Sequence, residues 1–254
     1  YTTEHTLSLH DALPISSGSA LALAEDIIAM GAPMVMVAGV DAMTTTMLAM
    51  IGGVGDVPTE RVQPFDRHRR GVLLGDGACA ALVTRDDWKG PIRGVLLATG
   101  LSCDAFHETA PDAAGILRAL RDAYSRAGRT LGDVQAIIAH GTGTLLNDPV
   151  ESAVLTEISR PGQPIITALK GSVGHTSGGS ALLGVDVALR MMATSTIPPV
   201  VGLNEPIPEA AGLTLARNEA RDQPIHTVQV NAFGFGGVNA VSLVGQAPSR
   251  GRQP

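Results

Sequence analysis

Aromatic side chains, basic charge, cysteine and long apolar runs are all scarce in this sequence of 254 residues. Phe, Trp and Tyr together make up 3%, so the core is expected to consist of Ala, Val, Leu, Ile and Met. The formal net charge is −6, whereas a nucleic-acid-binding protein usually carries a basic surplus. Cys79 and Cys103 are the only cysteines, which predicts no disulfide framework and no zinc site and indicates a reducing cytoplasm. No apolar run is long enough to span a membrane.

The remaining composition is typical of a folded α/β protein. Hydrophobic residues make up 44% and charged residues 17%, which is too apolar and too weakly charged for a disordered chain. The 30 glycines predict tight turns and backbone that passes close to a ligand.

The first fifteen residues differ in character from the rest. They lack the basic start and apolar middle of a signal peptide. Residues 6–15, TLSLHDALPI, are the in-frame translation of a common sequencing-adapter oligonucleotide. We therefore predict that residues 1–15 are a non-native, adapter-derived segment joined to a real gene at about Ser16. Finding the same codons in intact genomic DNA would contradict this hypothesis.

From Ser16 onward, apolar periodicity predicts alternating helices and strands, and hence an α/β fold with a largely buried sheet. The predicted helices are 16–32, 113–128, 149–159 and 178–193. The predicted strands are 34–40, 77–85, 91–100, 134–140, 164–168, 226–231 and 238–245, with 34–40 expected to be buried. Residues 51–71 are predicted to form a loop.

Two segments carry residues suited to chemistry. In HGTGTLLNDPVE, residues 140–151, a histidine ends a buried strand, where open α/β proteins place their ligands. Taken alone, His140 is more simply a hydrogen-bonded loop histidine. In ALKGSVGHTSGGS, residues 168–180, Lys170 and His175 precede a helix, which suits an anion. Taken alone, this segment is equally well a solvated lysine and a capping turn.

Two further segments are rich in glycine or charge. NAFGFGGVNA, residues 231–240, lacks a full G-x-G-x-x-G and is followed by a strand, so we reject a dinucleotide loop. Its glycines are expected to let backbone pass close to a reacting centre. PFDRHRRGVLLGDGACAALV, residues 64–83, is predicted to be an ordered loop that runs into a strand, with arginines that are solvated or paired rather than catalytic.

In this order, these segments resemble the β-ketoacyl-acyl-carrier-protein synthases, condensing enzymes of the thiolase fold, especially the stand-alone elongating type. The resemblance extends from Ser16 to about Val244. It rests on six motifs: SSGSALAL (16–23), PFDRHRRGVLLGDGA (64–78), CDAFHETAP (103–111), HGTGTLLNDPVE (140–151), KGSVGH (170–175) and NAFGFGGVN (231–239). Spacing within HGTGT and KGSVGH argues against a thiolase or a chain-initiating synthase.

The resemblance implies a decarboxylative Claisen condensation of an acyl thioester with malonyl-acyl carrier protein. It implies catalytic roles for His140 and His175, which would stabilise an enolate, and for Lys170 with Glu151 as its acidic partner. The substrate-binding residues that it implies are Thr142, Thr144, Phe233, Phe235, Asp104 and His107, with Phe235 as the gate of the acyl pocket. No metal or cofactor is implied, because the substrates are carried on the phosphopantetheine arm of the carrier protein.

The resemblance also implies partners and boundaries. The partners are an acyl carrier protein and a second synthase subunit, in a homodimer or a heterodimer, with neither nucleic acid nor membrane. Residues 16–90 would be the remnant of the N-terminal thiolase-like half, 91–248 the C-terminal half and 249–254 a flexible tail.

This sequence departs from the family pattern at several positions. Arg70 stands where the family typically has Asp, and Ile15 stands where its nucleophilic cysteine precedes the Ser-Ser run. Cys79 and Cys103 are predicted to be packing residues. The chain as written is therefore predicted to be a fragment that is inactive in the condensation but retains the decarboxylation half of the site, His140, His175 and Lys170. The alternative is a non-catalytic partner of the chain-length-factor kind, and the native residue before Ser16 would discriminate, with Cys indicating the enzyme and Gln the partner.

Overall fold

The structure is a computed structural model that describes residues 16–45, 48, 59–107, 109–159 and 163–248. The predictions for residues 1–15, for the tail 249–254 and for residues 51–58 of the loop 51–71 lie outside these residues. The helices are α1 (Ser16–Ala29), α2 (Ala113–Ala127), α3 (Asn147–Ile158), α4 (Lys170–Val173) and α5 (Ser180–Thr194). The strands are β1 (Met34–Asp41), β2 (Gly77–Thr84), β3 (Gly94–Cys103), β4 (Ala136–Ala139), β5 (Ile165–Ala168), β6 (Thr196–Ile197), β7 (Thr214–Leu215), β8 (Arg221–Asp222), β9 (Thr227–Phe233) and β10 (Val238–Gln246).

A six-stranded mixed sheet forms the centre of the protein, in the order β3-β10-β9-β4-β5-β7. The β3, β10 and β9 strands are antiparallel, whereas β9, β4, β5 and β7 run parallel. Every residue of β4 and β9 is buried, as expected for parallel strands covered on both faces. One apolar cluster includes α2 and α3, and a second includes α1 and α5. The predicted α/β fold with a buried sheet is confirmed.

Helix α2 shows how closely local sequence sets the boundaries of an element. The Asp112 side chain caps its first turn and accepts hydrogen bonds from the N–H groups of Ala114 and Gly115, at 3.4 and 2.8 Å. Gly128 ends it in the left-handed conformation, with φ of 59°. One face of the helix is apolar and buried, so the amphipathic helix predicted for residues 113–128 is confirmed.

The β1 and β2 strands form a separate antiparallel pair. The prediction that 34–40 is a buried strand is wrong, because residues along β1 alternate between a buried face and an exposed face. Val37 packs into the apolar cluster with α1 and α5, whereas Met36 is 75% exposed. A short apolar run does not distinguish a strand buried on both faces from one whose second face is open.

The two cysteines differ in their surroundings. Cys79 packs against the apolar cluster of α1 and α5, as predicted, and burial raises the pKa of its thiol. Cys103 is exposed at the end of β3, so its prediction as a packing residue is wrong. None of the helices within the described ranges is long and apolar enough to cross a bilayer.

Candidate active site

The candidate site lies at the carboxyl ends of the parallel strands. His140 directly follows β4, and Lys170 begins α4 two residues after β5 ends. His175 comes two residues after α4, and Phe233 is the last residue of β9. Because parallel strands end at the same edge of a sheet, the strand order brings together side chains that are far apart in sequence.

His140 is held through its Nδ1 atom. The Phe233 N–H donates to Nδ1 at 3.3 Å, and the Lys170 Nζ lies 3.3 Å from the same atom. Since a backbone N–H and an ammonium can only donate, Nδ1 must be the acceptor. The ring proton of neutral His140 therefore resides on Nε2.

His175 is held in the same way by different partners. Its Nδ1 accepts a hydrogen bond from the Ser177 N–H at 3.0 Å, and the Ser180 hydroxyl lies 3.2 Å from it. The neutral ring again carries its proton on Nε2. The backbone of His175 bonds to the loop before β2: its N–H donates to Leu73 O at 2.7 Å, and its carbonyl accepts from the Gly75 N–H at 3.0 Å. The loop of the PFDRHRRGVLLGDGA motif therefore holds the backbone of His175 in place, a role that the sequence did not reveal.

The two imidazole rings face each other edge to face. Their centroids are 5.3 Å apart with an interplanar angle of 78°, and the residues are 4% and 6% exposed. Burial holds both pKa values well below the usual 6.5, and the nearby Lys170 ammonium lowers them further. Both rings are thus neutral near pH 7, and each has one N–H available as a donor.

Lys170 is buried against His140 rather than against a carboxylate. Its Nζ donates to the His140 carbonyl, and burial lowers its pKa to about 8, with Glu151 and Asp148 opposing that shift. The ion pairs found among the described residues do not include Lys170 with Glu151. The carboxylate therefore acts on this lysine from beyond contact distance.

Glu151 instead binds the backbone of the loop after β4. Its two oxygens accept from the N–H groups of His140 and Gly141, both at 2.8 Å. The side-chain amides of Asn231 and Asn147 donate to the same carboxylate at 3.0 and 3.3 Å. These four bonds compensate for the complete burial of the charge.

Asp148 is a second buried carboxylate. Sequence analysis assigned it no role, although it is part of the HGTGTLLNDPVE motif. It accepts from the N–H groups of Thr142 at 3.1 Å and Gly143 at 3.1 Å, and from that of Phe65 at 2.7 Å. It thus ties the loop after β4 to the loop that contains Phe65. Burial raises its pKa to about 6. Thr142 is buried and its hydroxyl lies 2.8 Å from that of Thr144, which is half-buried.

The remaining predicted substrate residues lie around the loop that follows β9. Phe233 is buried and packs on His140 with ring centroids 5.4 Å apart, whereas Phe235 is 36% exposed. The Asp104 carboxylate accepts from the Asn239 side-chain amide at 2.9 Å, and its backbone N–H donates to the Gly237 carbonyl. His107 is exposed, and its Nδ1 accepts from two backbone N–H groups of the following turn, at 3.1 Å each.

The arginines between residues 66 and 71 are paired or solvated, as predicted. Arg67 forms a 2.7 Å ion pair with Glu205, and Arg70 is exposed. Arg69 donates to the Thr144 carbonyl at 2.9 Å, so it supports the loop after β4 from outside.

Comparison with solved structures defines the class of protein. The structure of the ishigamide ketosynthase/chain length factor matches with a TM-score of 0.88 at 30% identity, covering 93% of this chain and 60% of that one. A β-ketoacyl synthase from Burkholderia phymatum matches with the same score and coverage at 28% identity. The protein therefore has the thiolase-like fold of the ketosynthases.

Sequence comparison gives the family. The signature described as "Beta-ketoacyl synthase, C-terminal domain" matches residues 93–204. The 3-oxoacyl-[acyl-carrier-protein] synthase 2 of Coxiella burnetii is 30% identical over 226 residues, which are 82% of this chain and 54% of that protein. Nodulation protein E of Rhizobium meliloti is 31% identical over 234 residues, 89% of this chain and 58% of that protein. The chain belongs to the β-ketoacyl synthase family, and it spans somewhat more than half the length of these relatives.

Proposed function

We propose that this chain carries the decarboxylation chemistry of a condensing enzyme that extends an acyl thioester with malonyl-acyl carrier protein. The observation that supports the proposal most directly is the matched state of the two histidines. Both Nδ1 atoms accept hydrogen bonds, so both Nε2 atoms carry protons, and both rings are held neutral. Two such donors suit an oxyanion that forms during the reaction.

The chemical step follows from this arrangement. The bond between the malonyl carboxylate and the α-carbon breaks, carbon dioxide leaves, and the electron pair moves to the thioester oxygen as an enolate. The Nε2–H groups of His140 and His175 stabilise that oxygen. The enolate carbon then attacks an acyl thioester and releases the thiol, or in its absence takes a proton to form an acetyl thioester.

We assign supporting roles to the other residues. Lys170 and Glu151 hold the backbone and ring of His140, while Thr142 and Thr144 shape the loop that would receive the phosphopantetheine arm. Phe235 is the proposed gate. The acyl carrier protein is the proposed partner, supported by the name of the Coxiella burnetii relative and by the exposed Arg70, whose neighbour Arg69 donates to the Thr144 carbonyl.

The test is a decarboxylation assay with malonyl-pantetheine and with malonyl-acyl carrier protein, in which released carbon dioxide and acetyl thioester are both quantified. We expect product above the buffer background, and loss of most of it in His140→Asn and His175→Asn. Equal rates in the parent chain and in both variants would contradict the proposal, as would the absence of carbon dioxide with either substrate.

A second candidate is a non-catalytic partner subunit of a condensing heterodimer. One observation favours it: one matching structure is named a ketosynthase/chain length factor. Recovery of the complete gene separates the two. A cysteine before Ser16 together with β-ketoacyl product from malonyl-acyl carrier protein supports the enzyme, whereas a glutamine and no product support the partner subunit.

A further inference from the structure

A continuous series of hydrogen bonds, buried except at the half-buried Tyr124, runs from helix α2 to the loop after β4. The Tyr124 hydroxyl donates to Gln229 Oε1 at 2.6 Å, and Gln229 Nε2 donates to Asn231 Oδ1 at 2.7 Å. Asn231 Nδ2 donates to Glu151 Oε1 at 3.0 Å, and the same oxygen accepts the His140 N–H at 2.8 Å. Five residues from four separate parts of the chain are linked in this way.

The series of hydrogen bonds crosses an otherwise apolar region. Gln229 and Glu151 are fully buried, and Asn231 is 5% exposed. Gln229 and Asn231 point to the same face of β9, because alternate residues of a strand share a face. The cross-strand neighbours of these two residues, Ile137 and Val241, belong to the apolar cluster that includes α2 and α3. A buried amide without partners would cost a few kcal/mol, which the chain of hydrogen bonds offsets.

The carboxylate at the end determines the direction of every bond. An ionised Glu151 accepts only, so Asn231 must present its NH₂ group to it. The Asn231 oxygen then faces Gln229, which must in turn present its own NH₂ group. This leaves Gln229 Oε1 facing Tyr124, whose hydroxyl donates. Each amide is thereby held in one of its two orientations.

Loss of an outer member would release that constraint. Without the Gln229 donor, Asn231 Oδ1 becomes a buried acceptor without a partner, and the Asn231 amide can turn away from the Glu151 carboxylate toward another donor. The carboxylate holds the N–H groups of both His140 and Gly141, so its displacement moves the loop that bears the imidazole. A shift of this kind is costly at an active site, where misplacement by about 1 Å can reduce a rate about 100-fold.

We propose that Gln229 and Tyr124 are positioning residues for His140. They act through the Asn231 amide and the Glu151 carboxylate. The inference deepens the proposed function, on which its catalytic consequence rests, but the geometric part can be tested separately.

The first readout is the ¹⁵N resonance of the His140 ring in protein that carries ¹⁵N-labelled histidine. The resonance is assigned by its absence from the spectrum of His140→Asn. We expect Gln229→Leu to shift this resonance. Tyr124→Phe should shift it less, because Tyr124 is one hydrogen bond further from His140 than Gln229 is. Gln229→Glu supplies the decisive pattern. A protonated glutamic acid accepts from Tyr124 and donates to Asn231, whereas the ionised form cannot donate. The resonance should therefore match that of the parent at low pH and depart from it as the new carboxyl ionises.

The second readout is malonyl-pantetheine decarboxylation. We expect Gln229→Leu to lower kcat about tenfold with KM changed less than about twofold, and Gln229→Glu to approach the parent rate only at low pH. Ser242→Ala is the matched control. Ser242 is a buried polar residue of the adjacent strand β10, and its hydroxyl is hydrogen-bonded to that of Thr99 rather than to a residue of the series from Tyr124 to His140. It should leave the His140 resonance and kcat unchanged.

The outcomes separate the two proposals. If the parent chain shows no decarboxylation, the proposed function fails, and the resonance of His140 still decides the positioning role. If Gln229→Leu and Gln229→Glu both match the parent in the resonance at every pH, the positioning role is overturned. The same conclusion follows if Ser242→Ala shifts the resonance as much as Gln229→Leu does, because the effect is then one of general destabilisation.

Discussion

The His140 and His175 rings lie 5.3 Å apart, and each is oriented by a backbone N–H that donates to its Nδ1 atom. The donors are Phe233 for His140 and Ser177 for His175. Backbone donors cannot change their protonation, so the tautomer of both rings is determined by the fold itself. Each ring is thereby preorganised to donate one hydrogen bond from its Nε2 atom.

Replacing either ring removes one of these donors. We expect His175→Asn to lower kcat for malonyl-thioester decarboxylation about 100-fold, the loss typical of one oxyanion-hole donor. His226→Asn is the control, because His226 is exposed and hydrogen-bonded to Gln246. A loss of the same size in the control would show that the assay reports stability rather than the site.

The charge of Lys170 keeps both histidines neutral at lower pH. In Lys170→Met the pKa values of His140 and His175 should rise toward 6.5, because the nearby positive charge is gone although burial remains. The acidic limb of the pH profile for decarboxylation kcat/KM should then move to higher pH. Lys89→Met, at the only other lysine of the sequence, should leave the limb in place. If the acidic limb of Lys170→Met lay at the same pH as that of the parent, the charge of Lys170 would not control the histidine pKa values.

Asp148 makes stability depend on pH in the acidic range. Its pKa is raised from 3.8 to about 6 in the folded protein, so the folded state binds more protons between these values than the unfolded state. Its contribution to stability is present below about pH 4 and is lost as pH rises through about 6, by about 3 kcal/mol in total. We expect urea unfolding to show this decline in the parent and not in Asp148→Asn. Parallel profiles for the two proteins would refute it.

The loop that carries Phe235 contains two glycines of like conformation and unlike surroundings. Gly236 and Gly237 have φ of 75° and 80°, but only at Gly237 would a Cβ overlap the Asp104 carboxylate. Both alanine variants incur the left-handed backbone strain of about 1 kcal/mol. Gly237→Ala should lower the free energy of unfolding by at least about 1 kcal/mol more than Gly236→Ala, as measured by urea denaturation. Equal losses would show that Asp104 moves away freely.

Much of the site was predictable because its residues belong to continuous motifs. The HGTGT and KGSVGH segments each follow an apolar run, and a strand end followed by glycines predicts a ligand-binding edge. The predicted end of the helix at residue 128 coincides with the left-handed Gly128. These features depend on residues within about one turn or one strand of each other.

Local sequence alone therefore determined the four long helices α1, α2, α3 and α5, most strands, and which side chains stand at the strand ends. It did not predict the one-turn helix α4, which begins at Lys170. Tertiary packing decided that Lys170 contacts the His140 carbonyl rather than Glu151, that Asp148 joins two distant loops, and that Met36 is exposed. It also brought Gln229 and Tyr124, 105 residues apart, into the hydrogen-bond chain that ends at His140. The physical reason is that a hydrogen bond requires its atoms to lie within about 3 Å. For residues on different elements that distance is determined by how strands and helices pack, and not by their order along the chain.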